Sequence, residues 1–400
     1  MKALILAGGK GTRMGNISSE IPKPMIEIGG KPIVQHQVEL LKKYGITDIY
    51  FTVGHLKEKI KDFIGDGSKF GISPFFYEET KPLGTVGAVK ELENELTEDF
   101  LVLYGDVMMN VNLQFLISYH KEKNSDCTLV LHPNNHPYDS DLVEIDDTGK
   151  VIATHNKPHD PDKYYRNLVN AGLYIFNPKI LEFVEKGVKA DFGKDIFPKI
   201  YNKVNMYGYN TPEYLKDMGT PQRLEEVEKD LKTNKIANSN LENPQKAVFL
   251  DRDGVINKEV GLLYDPKDLE LFDFTAEALK KIHNSGFLSI IVTNQSVIAR
   301  NQCSIEELEH IHKKLETELG DQGAMVDRIY YCPHHPHKGY PEELPEYKID
   351  CSCRKPKPGM LEQAKREFNI DLSRSYIKNS DTQPDHYVKN LKEAAELVVN

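Results

Sequence analysis

No run of about 20 consecutive apolar residues occurs in this 400-residue chain, so the sequence offers no membrane-spanning helix. The N-terminus leads straight into the apolar segment Ala3–Ala7, without the charged and apolar regions of a signal peptide. Net positive charge is missing too. With 61 acidic against 51 basic residues the chain carries −10 at pH 7, and no strongly basic domain stands out. That argues against nucleic acid as the main partner, while local Lys and Arg placement leaves small anionic substrates open. Cysteine is scarce: of five, three cluster between Cys332 and Cys353, which suggests a reducing compartment and a metal site rather than disulfides. A cytoplasmic location is expected. The chain has no internal repeat, and its composition, 39% hydrophobic and 28% charged, is that of an ordinary globular protein.

What is present is two beginnings. Ala247–Leu250 is a short apolar run of the kind that forms a buried parallel strand, and it ends in Asp251 and Asp253 with Gly254 at the turn. In an open α/β sheet, ligands bind beyond the carboxyl ends of strands, so both carboxylates are expected in a site. A first strand with its loop opens a domain, which makes everything before Lys246 a separate one. Ala3–Ala7 followed by Gly8, Gly9, Gly11, Thr12 and Arg13 is a second such opening. The expected organisation is an α/β domain over residues 1–232, a polar, Asn-rich linker over 233–245 and an α/β domain over 246–400.

In the first domain, the glycine loop misses the dinucleotide G-x-G-x-x-G spacing by one residue, and no P-loop pattern occurs. What remains is a glycine-rich turn after a strand, whose backbone N–H groups can cradle phosphates. Arg13 and Lys23 add positive charge. Helical spacing over Ile33–Tyr44, a strand over Asp48–Val53, a helix over Leu56–Ile64 and a helix opened by Gly84 lead to the buried strand Phe100–Tyr104. That strand delivers Gly105 and Asp106 to the carboxyl edge. Helix and strand alternate as in a doubly wound sheet. Strands at Cys127–His132, Leu142–Ile145, Val151–Thr154 and Ala171–Phe176 then suggest a mixed sheet, closed by a helix over Gln222–Leu231.

Leu6-Ala-Gly-Gly-Lys-Gly-Thr-Arg-Met14, Pro22-Lys-Pro-Met25, Gly84, Gly105-Asp106, Asn156-Lys-Pro158, Asn170-Ala-Gly172 and Asp217-Met-Gly-Thr220 occur in the order used by sugar-1-phosphate nucleotidyltransferases. The resemblance spans the whole first domain and implies a Rossmann-like fold with a mixed sheet. It also implies that a sugar 1-phosphate oxygen attacks the α-phosphorus of a nucleoside triphosphate and expels pyrophosphate. It places Leu6, Ala7, Gly8, Gly9, Gly11, Thr12, Arg13, Lys23, Gly84 and Asp106 around the nucleotide. Arg13 and Lys23 would serve the phosphates, Asp106 and Asp217 would hold Mg²⁺, and Lys157, Asn170 and Gly172 would face the sugar phosphate. Such transfer depends on positioning and charge neutralisation more than on covalent chemistry, and Mg²⁺ prefers one or two carboxylates with phosphate oxygens and water.

In the second domain a helix is expected over Ala276–Asn284, a buried strand over Phe287–Val292 ending in Thr293, Asn294 and Gln295, and a helix over Ser304–Leu319. Ser304 and Glu307 form a capping-box pattern for that helix. A strand over Val326–Tyr331 and a helix over Gly359–Phe368 follow. Cys332, His334, Cys351 and Cys353 offer soft ligands for a tetrahedral Zn²⁺. Their tight one-residue spacing leaves His335 and His337 as rival ligands, and free cysteines in a polar loop as the plain alternative.

Asp251-x-Asp253, Thr293, Lys355 and Asp381, in that order near strand ends, resemble the haloacid-dehalogenase-type phosphatases, whose sheet is doubly wound and parallel. The resemblance implies that Asp251 is the nucleophile forming an aspartyl phosphate, and that Asp253 protonates the leaving alcohol and then activates water. Thr293 and Lys355 would neutralise the transferring phosphoryl group, and Asp251, Asp253 and Asp381 would make up the Mg²⁺ site. Asp251-Arg-Asp-Gly-Val-Ile-Asn257, Thr293-Asn-Gln-Ser296, Cys332-Pro-His-His-Pro336 and Cys353-Arg-Lys-Pro-Lys-Pro-Gly-Met360 together look like the heptose-1,7-bisphosphate 7-phosphatases. Histidinol phosphatases are close relatives with a similar zinc loop. This resemblance makes the zinc structural and adds Asn294 and Arg354 as sugar-phosphate contacts. The chain departs from the pattern at Ser380-Asp381, where the family has Gly-Asp, and at Val297 and Asn301, where relatives often carry glycines.

Together the two resemblances imply consecutive steps: a heptose bisphosphate phosphatase makes the heptose 1-phosphate that a nucleotidyltransferase consumes. GTP is the nucleotide the resemblance favours, giving GDP-D-glycero-α-D-manno-heptose for a surface glycan. The rivals are adenylyl transfer to a heptose, guanylyl transfer to mannose 1-phosphate, and a degenerate binding or regulatory second domain.

Overall fold

The computed structural model describes residues 1–9, 20–337, 339, 341–378 and 391–397. The chain forms two compact units, one of Met1–His132, Val143–Asn156 and Asn170–Asn240, the other of Pro133–Leu142, Lys157–Val169 and Leu241–Asn400. Residues 133–142 and 157–169, read from the sequence as part of a continuous first domain, thus group with the second unit.

The strands, in chain order, are β1 (Ala3–Leu6), β2 (Glu27–Ile28), β3 (Lys31–Pro32), β4 (Asp48–Val53), β5 (Ser73–Glu78), β6 (Phe100–Tyr104), β7 (Val107–Asn110), β8 (Cys127–His132), β9 (Leu142–Ile145), β10 (Val151–His155), β11 (Val169–Phe176), β12 (Met206–Asn210) and β13 (Tyr214–Asp217). A nine-stranded sheet runs β10-β9-β11-β6-β1-β4-β5, with β8 joining β11 to β12. β1 pairs in parallel with β4 and β6, and β11 runs antiparallel to β6, so the sheet is mixed. β1 lies between two parallel neighbours and Ala3, Leu4 and Ile5 are fully buried, which is why its sequence is continuously apolar rather than alternating. The helix Ile33–Lys43 buries Ile33, Val34, Val38 and Leu41, the spacing of one helical face.

Among the described residues of this unit six strands went unread in the sequence, and two of them, β2 and β3, form a short antiparallel pair. β5 is an edge strand, β12 carries Gly208, and β7 and β13 form a separate two-stranded ribbon beside the sheet. The stretch 233–245, read as a polar linker, contains a short helix Lys235–Asn238, and Ile236, Asn240 and Leu241 are all buried. Its few apolar residues are enough to fasten it.

In the second unit β14 (Ala247–Leu250), β15 (Leu288–Asn294), β16 (Arg328–Cys332) and β17 (Tyr376–Lys378) form a parallel sheet ordered β16-β15-β14-β17. β15 extends through Thr293 and Asn294, because its pairing with β16 continues to the Asn294–Cys332 register. Apolar clusters cover both faces, one built on Leu279, Ile311 and Leu315, the other on Met360, Ala364 and Phe368. The helix Ile305–Asp321 starts as its sequence suggests: Ser304 Oγ accepts from Glu307 N at 3.1 Å, and the Glu307 carboxylate accepts from Ser304 N at 2.7 Å.

Candidate functional site

In the first unit the carboxyl ends of β1 and β6 lie side by side. Gly105 N donates to Leu6 O at 3.0 Å, and a Cβ at Gly105 would sit 2.7 Å from that same oxygen, so only glycine fits. The next residue, Asp106, accepts from Lys23 Nζ at 2.6 Å. Across the ribbon, Met218 N donates to Asp106 O at 2.9 Å, which sets Asp217 beside Asp106 at one end of β7 and β13. Asp217 takes Arg223 Nη1 on both oxygens, at 2.7 and 2.6 Å. Each of the two carboxylates is thus paired with a cation of the protein itself.

Leu6 ends β1, and Ala7 continues its pairing by donating to Thr52 O at 2.9 Å. Gly8 packs against Glu79, whose carboxyl burial pushes up from its ordinary value. Gly9 is open, Gly84 begins the helix Gly84–Glu91, and Gly172 lies in β11 against the Tyr104 ring. Asn170 Oδ1 accepts from Gly172 N at 3.4 Å. Lys157 groups with the second unit, where its amide donates to Asp141 Oδ1 at 3.2 Å. Gly11, Thr12 and Arg13 lie outside the described residues.

Sequence reasoning missed Gln37. It sits fully buried on the apolar face of its helix, and its amide donates to Tyr104 O at 2.9 Å and Val107 O at 2.8 Å, clasping the turn that carries Asp106. A polar residue on an otherwise apolar helical stripe was the available signal. Arg223, placed by the helix Pro221–Lys232 that Thr220 caps, was missed as well.

In the second unit β14 ends at Asp251, whose Oδ2 lies 2.7 Å from Lys355 Nζ in a largely buried pair. Thr293, at the end of the neighbouring β15, is 1% exposed, and its hydroxyl accepts from Gln295 Nε2 at 2.8 Å. Asp253 follows on the same turn, where Gly254 adopts φ +76°. Its carboxylate accepts from Arg252 Nε (3.0 Å) and Nη2 (2.9 Å), Gln295 Nε2 (2.9 Å) and Asn257 Nδ2 (3.1 Å). Burial opposes ionisation there, yet the Arg252 guanidinium and these hydrogen bonds hold the carboxyl below its ordinary value. Asn294 is engaged with the backbone of Lys355, and Arg354 Nη1 donates to His334 O at 3.0 Å. Both side chains, expected at the sugar phosphate, thus hold the protein's own backbone here. Asp381 lies outside the described residues, together with Asn379 and Ser380.

Cys332, His334, Cys351 and Cys353 converge, their ligand atoms all within 4.8 Å of one another. The Sγ–Sγ separations are 3.3–3.5 Å, and His334 Nδ1 lies 3.3 Å from Cys353 Sγ and 3.7 Å from Cys332 Sγ. Tetrahedral Zn²⁺ with bonds of about 2.0–2.3 Å needs edges of about 3.6–3.8 Å, so a small expansion of this cluster fits the ion. Of the candidate histidines, His334 joins the cluster, whereas His335 Nδ1 meets the carbonyl of His337. Four protein ligands would leave no open position on an ion held there. No helix among the described residues is long and apolar enough to cross a membrane.

The family described as Nucleotidyl transferase matches residues 2–234, and the family described as Polynucleotide kinase 3 phosphatase matches residues 248–387. The chain is 35% identical over 214 residues to a UTP–glucose-1-phosphate uridylyltransferase of Synechocystis, covering 50% of this chain and 55% of that protein. It is 32% identical over 230 residues to a mannose-1-phosphate guanyltransferase of Saccharomyces cerevisiae, covering 56% and 62%. The chain therefore spans little more than half the length of these curated relatives. Among solved structures, HddC from Yersinia pseudotuberculosis complexed with GMP-PN superposes with a TM-score of 0.50 at 26% identity, covering 57% of this chain and 99% of that one. The match over residues 2–234 shows that this chain belongs to the nucleotidyl transferase family, here joined to a phosphatase-like second unit.

Proposed function

We propose that the chain is a bifunctional enzyme that removes the 7-phosphate of D-glycero-D-manno-heptose 1,7-bisphosphate and transfers GMP from GTP to the resulting heptose 1-phosphate. The pairing of Asp251 with Lys355, beside Thr293 and Asp253, is the observation that carries the phosphatase half. It supports a haloacid-dehalogenase-like assignment for the second unit. The guanyltransferase relatives and the GMP-PN complex of the Yersinia protein support GTP. The net charge of −10 weighs against a nucleic-acid substrate for the phosphatase-like unit. The proposed setting is cytoplasmic, with domains over 1–232 and 246–400.

In the first half-reaction of the phosphatase, an Asp251 oxygen attacks phosphorus and the bond to the sugar oxygen breaks. Asp253, held as a carboxylate in the resting site, gives the departing oxygen a proton only after taking one up, as it does from water in the second half-reaction. Lys355 and Thr293 hold the phosphoryl oxygens and offset their charge. In the second half, water attacks the aspartyl phosphate while the Asp253 carboxylate takes its proton, releasing phosphate and free Asp251. In the transferase, Lys23 and Arg13 bind the triphosphate, Asp106 and Asp217 would hold Mg²⁺, and Lys157, Asn170 and Gly172 orient the sugar phosphate. Mg²⁺, when bound, neutralises phosphate charge in both sites.

The test supplies purified protein with heptose 1,7-bisphosphate, Mg²⁺ and each of four nucleoside triphosphates, following phosphate and pyrophosphate separately. Phosphate release abolished by Asp251→Asn, with pyrophosphate release from supplied heptose 1-phosphate and GTP retained, is the expected result. Wild-type phosphate release no faster than that of Asp251→Asn overturns the phosphatase half. The second reading, guanylyl transfer to mannose 1-phosphate with a regulatory second unit, is favoured by the mannose-1-phosphate relatives. It predicts pyrophosphate from mannose 1-phosphate and no phosphate from the bisphosphate.

A further inference from the structure

Arg252 stands between the two aspartates of the second site, and its side chain is the largest fully buried one among the described residues, at 0% exposure. A buried cation is costly unless its donors are satisfied. Nε and Nη2 go to Asp253, and Nη2 also reaches Gln295 Oε1 at 2.8 Å. Nη1 meets His312 Nε2 at 3.3 Å. Arginine can only donate, so His312 Nε2 must accept, and the ring proton sits on Nδ1. Nδ1 faces Glu309 Oε1 at 3.7 Å, one turn back on the helix Ile305–Asp321. Glu309 in turn lies 3.8 Å from Arg166 Nε, which is also 3.6 Å from Glu316. Residues 165–167 are tied to this helix by Tyr165 N to Thr317 Oγ1 at 2.9 Å and Asn167 N to Glu316 Oε2 at 3.0 Å.

The charges alternate along the row, with a neutral acceptor in the middle. Burial pushes His312 down to about 4, opposed by Glu309 and reinforced by Arg252, which keeps the ring neutral. Burial alone would raise Glu309, but His312 and Arg166 hold it down at about 2. The assigned mechanism uses none of His312, Glu309 and Arg166.

We propose that Arg166, Glu309, His312 and Arg252, the last two buried and the first two half-buried, form a row of positioning residues that aims the Asp253 carboxylate at the water that hydrolyses the aspartyl phosphate. This rests on the phosphatase reading above. The row holds Asp253 with both oxygens fixed as acceptors, the form that takes a proton in the second half-reaction. Expelling a good leaving group in the first half needs no proton from Asp253.

The experiment uses the full chain with Mg²⁺ and p-nitrophenyl phosphate. There kcat/KM reports formation of the aspartyl phosphate, and kcat reports its hydrolysis when that step limits. His312→Leu keeps the bulk and removes the acceptor. It is expected to lower kcat about tenfold, part of the ~10²–10⁴ that acid–base help supplies. Its kcat/KM should hold within a factor of about three. Nitrophenol should then appear as a burst matching the enzyme concentration. His312→Gln, whose amide oxygen can accept from Arg252, restores kcat, and Glu309→Gln shifts kcat the same way by a smaller factor. Pyrophosphate release, an activity of the first unit, stays at wild-type level throughout, and the held kcat/KM reports an intact second unit. A parallel fall in kcat and kcat/KM, no change in either, or failure of His312→Gln to restore kcat overturns the proposal. A wild type no more active than Asp251→Asn on either nitrophenyl phosphate or the bisphosphate overturns the phosphatase reading itself, and the row with it.

Discussion

Asn294 and Lys355 hold each other reciprocally: Lys355 N donates to Asn294 Oδ1 at 3.0 Å, and Asn294 Nδ2 donates to Lys355 O at 3.2 Å. The pair joins the end of β15 to the loop that follows the cysteine cluster. It thereby sets where the Lys355 ammonium meets Asp251.

Asn294→Ala is therefore expected to act through Lys355 rather than through the sugar. Phosphatase kcat should fall about 10- to 100-fold, since losing one charge-stabilising contact of this kind costs about 10²–10³ when removed outright. KM should change little. Steady-state kinetics on the bisphosphate check this, and a rise in KM alone marks Asn294 as a substrate contact instead.

Gln37→Leu removes both donors that clasp the turn carrying Asp106 and leaves the carbonyls of Tyr104 and Val107 without them. Each buried group left unsatisfied costs about 1–3 kcal/mol. Denaturant titration should show the first unit destabilised by about 2–4 kcal/mol. Pyrophosphate release should drop while phosphate release is kept.

Removing zinc should destabilise the second unit before it affects the chemistry. Cys332, His334, Cys351 and Cys353 supply folding energy only when the ion is bound. Elemental analysis should find one zinc per chain, and a chelator should lower the melting temperature of phosphatase activity with pyrophosphate release unchanged. Metal-free protein of equal thermal stability refutes the assignment.

His312 also makes a pH signature. Its folded pKa of about 4 lies below the ordinary imidazole value of 6.5, so the unfolded chain binds the proton more readily. The stability tied to the neutral ring is complete above about pH 6.5 and is lost as pH falls towards 4. Denaturation midpoints of wild type and His312→Gln should converge over that window, with the wild type changing more steeply. Asp253 is held low in both proteins, whereas Glu309 is held low in part by His312, so the difference reports the His312–Glu309 pair.

The sequence by itself determined those features in which local pattern and burial coincide. Ala3–Leu6 and Ala247–Leu250 read as buried parallel strands because each lies between two neighbours and is covered on both faces. Ser304 and Glu307 announced their helix because a capping box is made by residues three apart. The acidic residues at strand ends were visible because parallel strands deliver their C-termini to one edge. Only the tertiary structure decided which cations sit on those carboxylates. Arg223 on Asp217, Gln37 on the Asp106 turn and His312 on Arg252 join residues distant in the chain, or residues whose side chains turn inward against their type. It also grouped residues 157–169 with the second unit. Arg166, Asn167 and Tyr165 look like ordinary loop residues until their partners on the helix Ile305–Asp321 are in place. Periodicity reports which face of an element is buried, but the partner of a buried charge depends on long-range packing that no local pattern encodes.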